Sequence, residues 1–215
     1  MYLAMLRQRQ SELRALNNLS DEVTNCGLFM PIISINDGSK ETLELVNSKY
    51  GGPLLLDIKN LEAEDIKSLE DILSENDYNH IEILYPVSTL FQNDECKSIH
   101  YVKIEKDSFS LTTFLLFEKW CKENLPLLPK FIVIDIGQIN NNVDAALEQR
   151  IVRLIHHLKD KDICILSGSI PSTVPVSATT NYNQPRHEIE LFSRIKSQCI
   201  ASSNNLIYGD YATVC

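Results

Sequence analysis

Short apolar runs alternate along the chain with longer stretches in which apolar residues recur every three or four positions. The short runs are typical of buried strands, and they predict strands over residues 2–6, 28–35, 53–58, 80–85, 99–104, 131–136, 163–166 and 206–208. The longer stretches are typical of amphipathic helices and are clearest over residues 62–74, 143–158 and 188–199. Each of these helices is expected to pack its apolar face on a sheet.

The predicted strands are apolar on both faces, and helical patterns lie between them. Such strands pair in parallel through crossovers, because only a sheet covered on both sides tolerates them. About eight strand and helix units favour an α/β fold of the (β/α)8 TIM-barrel type. A doubly wound open sheet is the alternative, although it would need less apolar edge strands. Few residues follow the last strand, so we expect a barrel without its last helix. Either a partner copy covers the open edge, or the chain is a truncated form.

Length and composition fit a single domain over residues 1–215, with 44% hydrophobic and 23% charged residues. No apolar stretch approaches the roughly 18 residues of a membrane-spanning helix, and the N-terminus becomes charged before a signal sequence could form. We therefore expect a cytoplasmic protein with no membrane partner. The net charge of −9 argues against binding to extended nucleic acid, and the six scattered cysteines lack zinc-site or disulfide-framework spacing.

Three of the apolar runs end at an aspartate, namely Asp57, Asp135 and Asp210. Because the carboxyl ends of parallel strands meet at one edge, we expect these side chains to converge on one barrel mouth. There they could bind a divalent cation through their oxygens, or act as an acid and a base. The alternative is structural, with each aspartate capping a helix or pairing with a basic rim residue.

Small and basic residues at the same strand ends favour an anionic ligand. Ser167, Gly168 and Ser169 follow the seventh strand, where barrels often hold a phosphate, and Gly209 precedes Asp210 on the eighth. An ordinary turn would have the same composition. The candidate cations are Arg7, Arg9 and Arg186, while Arg186 also suits an ordinary helix start. Other polar residues predicted at the rim are Ser34, Lys59, Lys103, Glu105 and Tyr211.

Familiar motifs for other chemistries are missing from the sequence. It contains no P-loop, dinucleotide fingerprint or metalloprotease helix. No histidine is predicted at the C-terminal end of a strand, so a serine or cysteine nucleophile with a histidine base is poorly supported.

The order of short motifs resembles that of the beta protein family, which is named for a phage protein. The motifs are Tyr2-Leu3-x-x-Leu6-Arg7-x-Arg9-x-x-Glu12-Leu13-x-Ala15-Leu16, Pro31-Ile32-Ile33, Leu56-Asp57, Ile134-Asp135-Ile136-Gly137, Ser167-Gly168-Ser169-Ile170-Pro171, Pro185-Arg186-x-Glu188 and Tyr208-Gly209-Asp210-Tyr211. The resemblance spans essentially the whole chain. Family members often carry glutamate where this chain has Ser34, which weakens any role that needs a carboxylate there.

The resemblance implies a context and no established reaction. Members occur in phages and mobile bacterial regions, which implies a role in phage and host conflict. They usually continue well past the Gly-Asp-Tyr segment, so this chain resembles a short version.

Two functions compete on these grounds. The first is a mouth site for a phosphate-bearing small molecule or nucleotide, with a divalent cation as a possible cofactor. Its candidate catalytic residues are Asp57, Asp135 and Asp210, and its candidate ligand-binding residues are Arg7, Arg9, Glu12, Ser167, Gly168, Ser169, Arg186, Gly209 and Tyr211. The second is a non-catalytic interaction protein of a phage defence or counter-defence system, whose partner or second copy covers the open barrel edge. The sequence leaves open whether the protein is an enzyme.

Overall fold

A computed structural model of the protein describes residues 1–19, 21–25, 27–91, 99–139, 144–169 and 186–211. The strands are β1 (Tyr2–Arg7), β2 (Phe29–Ser34), β3 (Leu54–Asp57), β4 (Ile81–Pro86), β5 (Tyr101–Glu105), β6 (Phe131–Gln138), β7 (Asp162–Gly168) and β8 (Asn205–Tyr211). The helices are α1 (Gln10–Asn17), α2 (Asp21–Asn25), α3 (Lys40–Lys49), α4 (Ala63–Glu75), α5 (Phe114–Glu123), α6 (Ala145–His157) and α7 (His187–Gln198). Short 3₁₀ turns span Val87–Phe91, Lys106–Phe109 and Leu125–Leu127.

The eight strands form one closed barrel in chain order, and every neighbouring pair is parallel. Closure occurs between β1 and β8, where Tyr2 lies opposite Tyr208. The predicted (β/α)8 barrel is therefore confirmed, and the alternative of an open sheet is wrong. Among the described residues no helix follows β8. None of the helices in the described ranges is long and apolar enough to cross a membrane.

Local sequence explains where several helices begin. The Ser39 hydroxyl accepts a hydrogen bond from the Thr42 backbone N–H at the start of α3. Asp144 does the same for the N–H of Ala146 at the start of α6, at 3.0 Å. These oxygens satisfy backbone donors that the first helical turn leaves without a partner.

Alternation along the strands divides the core into an inner and an outer part. Inward-facing side chains fill the barrel interior, and nearly all of those below the mouth are aliphatic. They include Leu3, Met5, Met30, Ile32, Leu55, Leu84, Val133, Cys164, Leu166 and Ile207. The intervening strand residues face outward and pack against the helices in two larger apolar clusters. A polar residue that continues an inward series therefore emerges at the barrel mouth.

Aromatic side chains cover much of the outer seam between β1 and β8. The Tyr2 ring stacks on the Tyr208 ring with centroids 5.9 Å apart, and Phe192 of α7 meets Tyr208 edge-on at 5.4 Å. Tyr2 also donates a hydrogen bond to Asp210. This seam is where the sequence predicts an uncovered edge, and α7 and the tyrosines shield part of it.

Candidate functional site

A fully buried lysine lies on the inward face of β5 near the barrel mouth. Lys103 is 0% exposed, and its Nζ donates to Oδ1 of Asp57 at 2.5 Å. The Asp57 side chain is itself 3% exposed. Their two charges are thus removed from water together, and each depends on the other for compensation.

A second pair of charges continues this arrangement toward the solvent. Oε1 of Glu105 lies 3.7 Å from Lys103 Nζ and 3.0 Å from Lys59 Nζ. The Lys59 side chain is 57% exposed, and the paired Glu105 carboxylate raises its pKa. Negative and positive groups therefore alternate from the buried Asp57 outward to Lys59.

Asp135 occupies the end of β6 beside a break in strand register. The shift between Asp135 and Gly137 coincides with a left-handed φ of 74° at Gly137, a conformation that favours glycine. Oδ1 of Asp135 accepts hydrogen bonds from the Gly137 N–H at 2.9 Å and from the Tyr211 hydroxyl. The bulge and the tyrosine thus hold one carboxylate oxygen.

The pKa of Asp135 is raised above its ordinary value, and burial is the main cause. The nearby Asp57 charge acts in the same direction, while the Tyr211 hydrogen bond and the Lys103 charge oppose it. Burial and the Asp135 charge raise the pKa of Tyr211 as well, so its hydroxyl stays protonated and remains a donor. Asp57, Lys103, Asp135 and Tyr211 therefore form one electrostatically coupled group.

Asp210 does not join this group, which corrects the expectation that all three aspartates converge. It directly precedes Tyr211 on β8, and adjacent strand residues point to opposite faces. Asp210 accepts from Tyr2 and pairs with Arg186 at 3.0 Å on the outer side of the barrel. The structure brings Asp57 and Asp135 together and leaves Asp210 at the outer seam.

The residues predicted to cradle an anion after β7 also face the helix layer. Ser169 and Glu188 are each 1% exposed, and the serine hydroxyl donates to the glutamate. Arg186 donates to the same glutamate and to Asp210, and alternation places the buried Ser167 on this outer side too. These contacts fasten α7 to β7 and β8, so this serine and arginine side-chain set is not the open anion site that the sequence predicts.

Close packing accounts for both glycines of the predicted cradle. A Cβ atom on Gly168 would lie 3.0 Å from Cβ of Tyr211, and one on Gly209 would lie 2.8 Å from Sγ of Cys164. Both positions therefore lack room for a side chain without movement of their neighbours. The motif residues Ile170, Pro171 and Pro185 lie outside the described residues.

The β1 end contributes one exposed cation to the mouth. Arg7 continues the inward series of Leu3 and Met5, and it lies opposite Ser34, which in turn lies opposite Asp57. Glu12 is 3% exposed and accepts a hydrogen bond from the Arg7 backbone N–H. Glu12 therefore supports the turn into α1. Arg9 is exposed directly before that helix.

The sequence predicts Lys59, Lys103 and Glu105 on the rim but indicates no function for them. The signal for Lys103 is a basic residue inside the apolar run Tyr101-Val102-Lys103-Ile104. No group of three or more potential metal-ligating side chains in the described ranges is arranged to hold a cation. The described mouth residues thus do not fit the divalent cation that the sequence leaves possible, because Asp57 is already paired with Lys103.

We predict that the buried pair is strongly coupled in unfolding experiments. Lys103→Met or Asp57→Leu alone should lower the free energy of unfolding by about 3–5 kcal/mol, because each leaves a buried charge without its partner. The double variant should recover most of that loss. Urea unfolding tests this, with Lys40→Met at the exposed Lys40–Glu44 pair as the control. Additive losses in the double variant would contradict the coupling.

We predict that titration of Asp135 makes the stability of the folded protein depend on pH. Its folded pKa lies above the ordinary 3.8, so the native state binds more protons than the unfolded state just above that pH. The stability contributed by the protonated form is complete below 3.8 and is lost as pH rises through the folded pKa. The stability of the wild-type protein relative to Asp135→Asn should therefore fall as pH rises in thermal melts. A stability difference between the wild-type protein and Asp135→Asn that rises with pH would refute this. Asp71→Asn, on the exposed face of α4, is the control for the lost charge.

Comparison with known proteins addresses the identity of the chain. A family model described as Beta protein matches residues 2–215. Comparison with curated proteins finds no significant match, and comparison with solved structures finds none either. The matched range covers nearly every residue, as the resemblance of the motifs led us to expect. The chain belongs to the beta protein family.

Proposed function

We propose that the barrel mouth binds a small anionic ligand that carries a phosphate group. The observation that carries this proposal is the buried ion pair between Lys103 and Asp57, with Nζ and Oδ1 2.5 Å apart. The C-terminal rim of a (β/α)8 barrel is where such folds place their binding sites. The described mouth residues thus have the location and the charge that a ligand site needs.

The buried ion pair is not explained by a contribution to folding stability alone. Removing two charges from water costs several kcal/mol per ion, and apolar residues of similar volume often stabilise a protein as well or better. The rest of the barrel interior uses such apolar residues, including Leu55 and Val133 on the strands that bear Asp57 and Asp135. Charges kept at the mouth of an otherwise apolar barrel favour a role in binding or chemistry.

Two cations near the rim support an anionic ligand. Arg7 is exposed, and its side chain forms no ion pair with a described residue. Lys59 is 57% exposed and contacts Glu105 on one side. A phosphate could accept hydrogen bonds from both, because arginine and lysine are suited to phosphate oxygens. Lys103 adds positive charge beneath them.

Proton transfer at this site would involve Asp57 and Asp135. Burial raises the pKa of Asp135, whereas Asp57 is paired with Lys103. Two carboxyl groups in unlike environments are the usual basis for dividing acid and base roles. We assign Asp210 no such role, because it contacts Tyr2 and Arg186 on the outer side.

Family membership and the described thiols support a proposal for the cellular setting. The association of the beta family with phages supports a role in phage and host conflict. Cys121, Cys164 and Cys199 are free and buried, which supports a reducing compartment such as the cytoplasm.

We predict that inorganic phosphate binds the mouth weakly and raises the melting temperature of the wild-type protein. Arg7→Gln and Lys59→Gln should each weaken this binding about tenfold, since each removes a charge-assisted hydrogen bond. Isothermal titration measures the change. Arg14→Gln, on an exposed position of α1, is the matched control. Equal binding by all variants would place the phosphate elsewhere, and no binding by the folded wild-type protein would refute the proposal.

A second candidate function, a non-catalytic interaction protein of a phage defence or counter-defence system, is favoured by an apolar face around α5. Leu111, Leu115 and Leu116 are 78%, 60% and 74% exposed. Leu116 lines a pocket of about 510 Å³ together with Phe91 and Trp120. Exposed leucines on and just before one helix, with Leu116 in the wall of a pocket, suit two-fold pairing between copies of the chain. The partner in this alternative is a second copy of the chain.

We predict that the dimer of this alternative depends on α5. Sedimentation should show a concentration-dependent dimer that Leu115→Glu/Leu116→Glu abolishes, because buried carboxylates oppose association. Leu45→Glu on α3, at a leucine that is 42% exposed, is the control. A wild-type protein that stays monomeric at high concentration would exclude self-association through this face.

A further inference from the structure

The two oxygens of Asp135 have different environments. Oδ1 accepts from the Gly137 N–H at 2.9 Å and from the Tyr211 hydroxyl. Oδ2 accepts no hydrogen bond from any residue that the structure describes. The carboxyl group is thus oriented through one oxygen, and the other remains an available acceptor at the mouth.

We propose that the ligand of the mouth is a phosphorylated sugar or polyol, with a hydroxyl group that donates to Oδ2 of Asp135 while its phosphate contacts Arg7 and Lys59. This inference rests on the proposed function and adds the class of ligand. It assigns to Asp135 the recognition of the part of the ligand that carries no phosphate. Tyr211 then acts as a positioning residue for Asp135.

The chemistry near Asp135 favours a neutral donor. A phosphate oxygen is an acceptor and carries negative charge, so it would be repelled by a carboxylate. An ammonium group would also donate, but Lys103 and Lys59 already place two positive charges near this carboxylate. A hydroxyl group donates a hydrogen bond without adding positive or negative charge, so it suits Oδ2 of Asp135 better than either charged group.

The topology separates the two ends of such a ligand. Arg7 is on β1 and Asp135 is on β6, three strands away around the closed barrel. Neighbouring strands are about 4.8 Å apart, so the backbone segments that carry Arg7 and Asp135 are well separated at the rim. A five- or six-carbon sugar phosphate has the length to contact both Arg7 and Asp135.

Isothermal titration of the whole protein with a matched ligand set tests the inference. The probes are inorganic phosphate, n-pentyl phosphate and ribose 5-phosphate, of which the last two have the same number of carbons but differ in their hydroxyl groups. Ribose 5-phosphate should bind about tenfold more tightly than n-pentyl phosphate, the gain from one good hydrogen bond to a carboxylate. Asp135→Asn should abolish that preference and leave inorganic phosphate binding intact or stronger, while Asp71→Asn should change neither.

The outcomes separate this inference from the proposed function. If the three probes bind equally, or if Asp135→Asn retains the preference for ribose 5-phosphate, the sugar assignment is wrong and the anion site stands. If none of the probes binds the folded wild-type protein, the proposed function itself fails. Should Asp135→Asn not fold, the comparison of n-pentyl phosphate with ribose 5-phosphate on the wild-type protein still decides the class of ligand, because it needs no variant.

Discussion

Closure of eight parallel strands is the constraint on which the site depends. In a closed barrel every strand has an inner and an outer face, and successive residues alternate between them. Alternation places Asp57, Asp135 and Tyr211 at the mouth, and it places Asp210, one residue before Tyr211, at the outer seam. The mouth is therefore defined by which residue of each strand continues the inward series.

The buried ion pair gives this mouth its chemical character. Lys103 and Asp57 lie above an interior filled mainly by aliphatic side chains. The low polarity beneath them strengthens their attraction and also makes the loss of either partner costly. Glu105 and Lys59 connect this pair to the solvent, where a charged ligand would first arrive. A separate network of Ser169 and its partners holds α7 on the outer side, so the two sets of polar residues have different tasks.

Sequence patterns predicted the fold well because buried parallel strands leave a clear signal in apolar runs. The predicted strand over residues 131–136 corresponds to β6, which continues to Gln138 past the bulge at Gly137. The patterns could not assign faces, because a shift of one residue reverses every side chain of a strand. For the same reason the sequence predicts Asp210 beside the other aspartates, although it lies on the outer face. The role of Lys103 was equally inaccessible, because its partner Asp57 is 46 positions away in the chain.

The most direct test of the account is a crystal structure of the wild-type protein grown with ribose 5-phosphate. The account predicts density across the mouth, with the phosphate beside Arg7 and Lys59 and a hydroxyl group within about 3.0 Å of Oδ2 of Asp135. Lys103 and Asp57 should remain paired beneath the ligand. Density at the outer seam near Arg186, or on the apolar face of α5, with an empty mouth would contradict it.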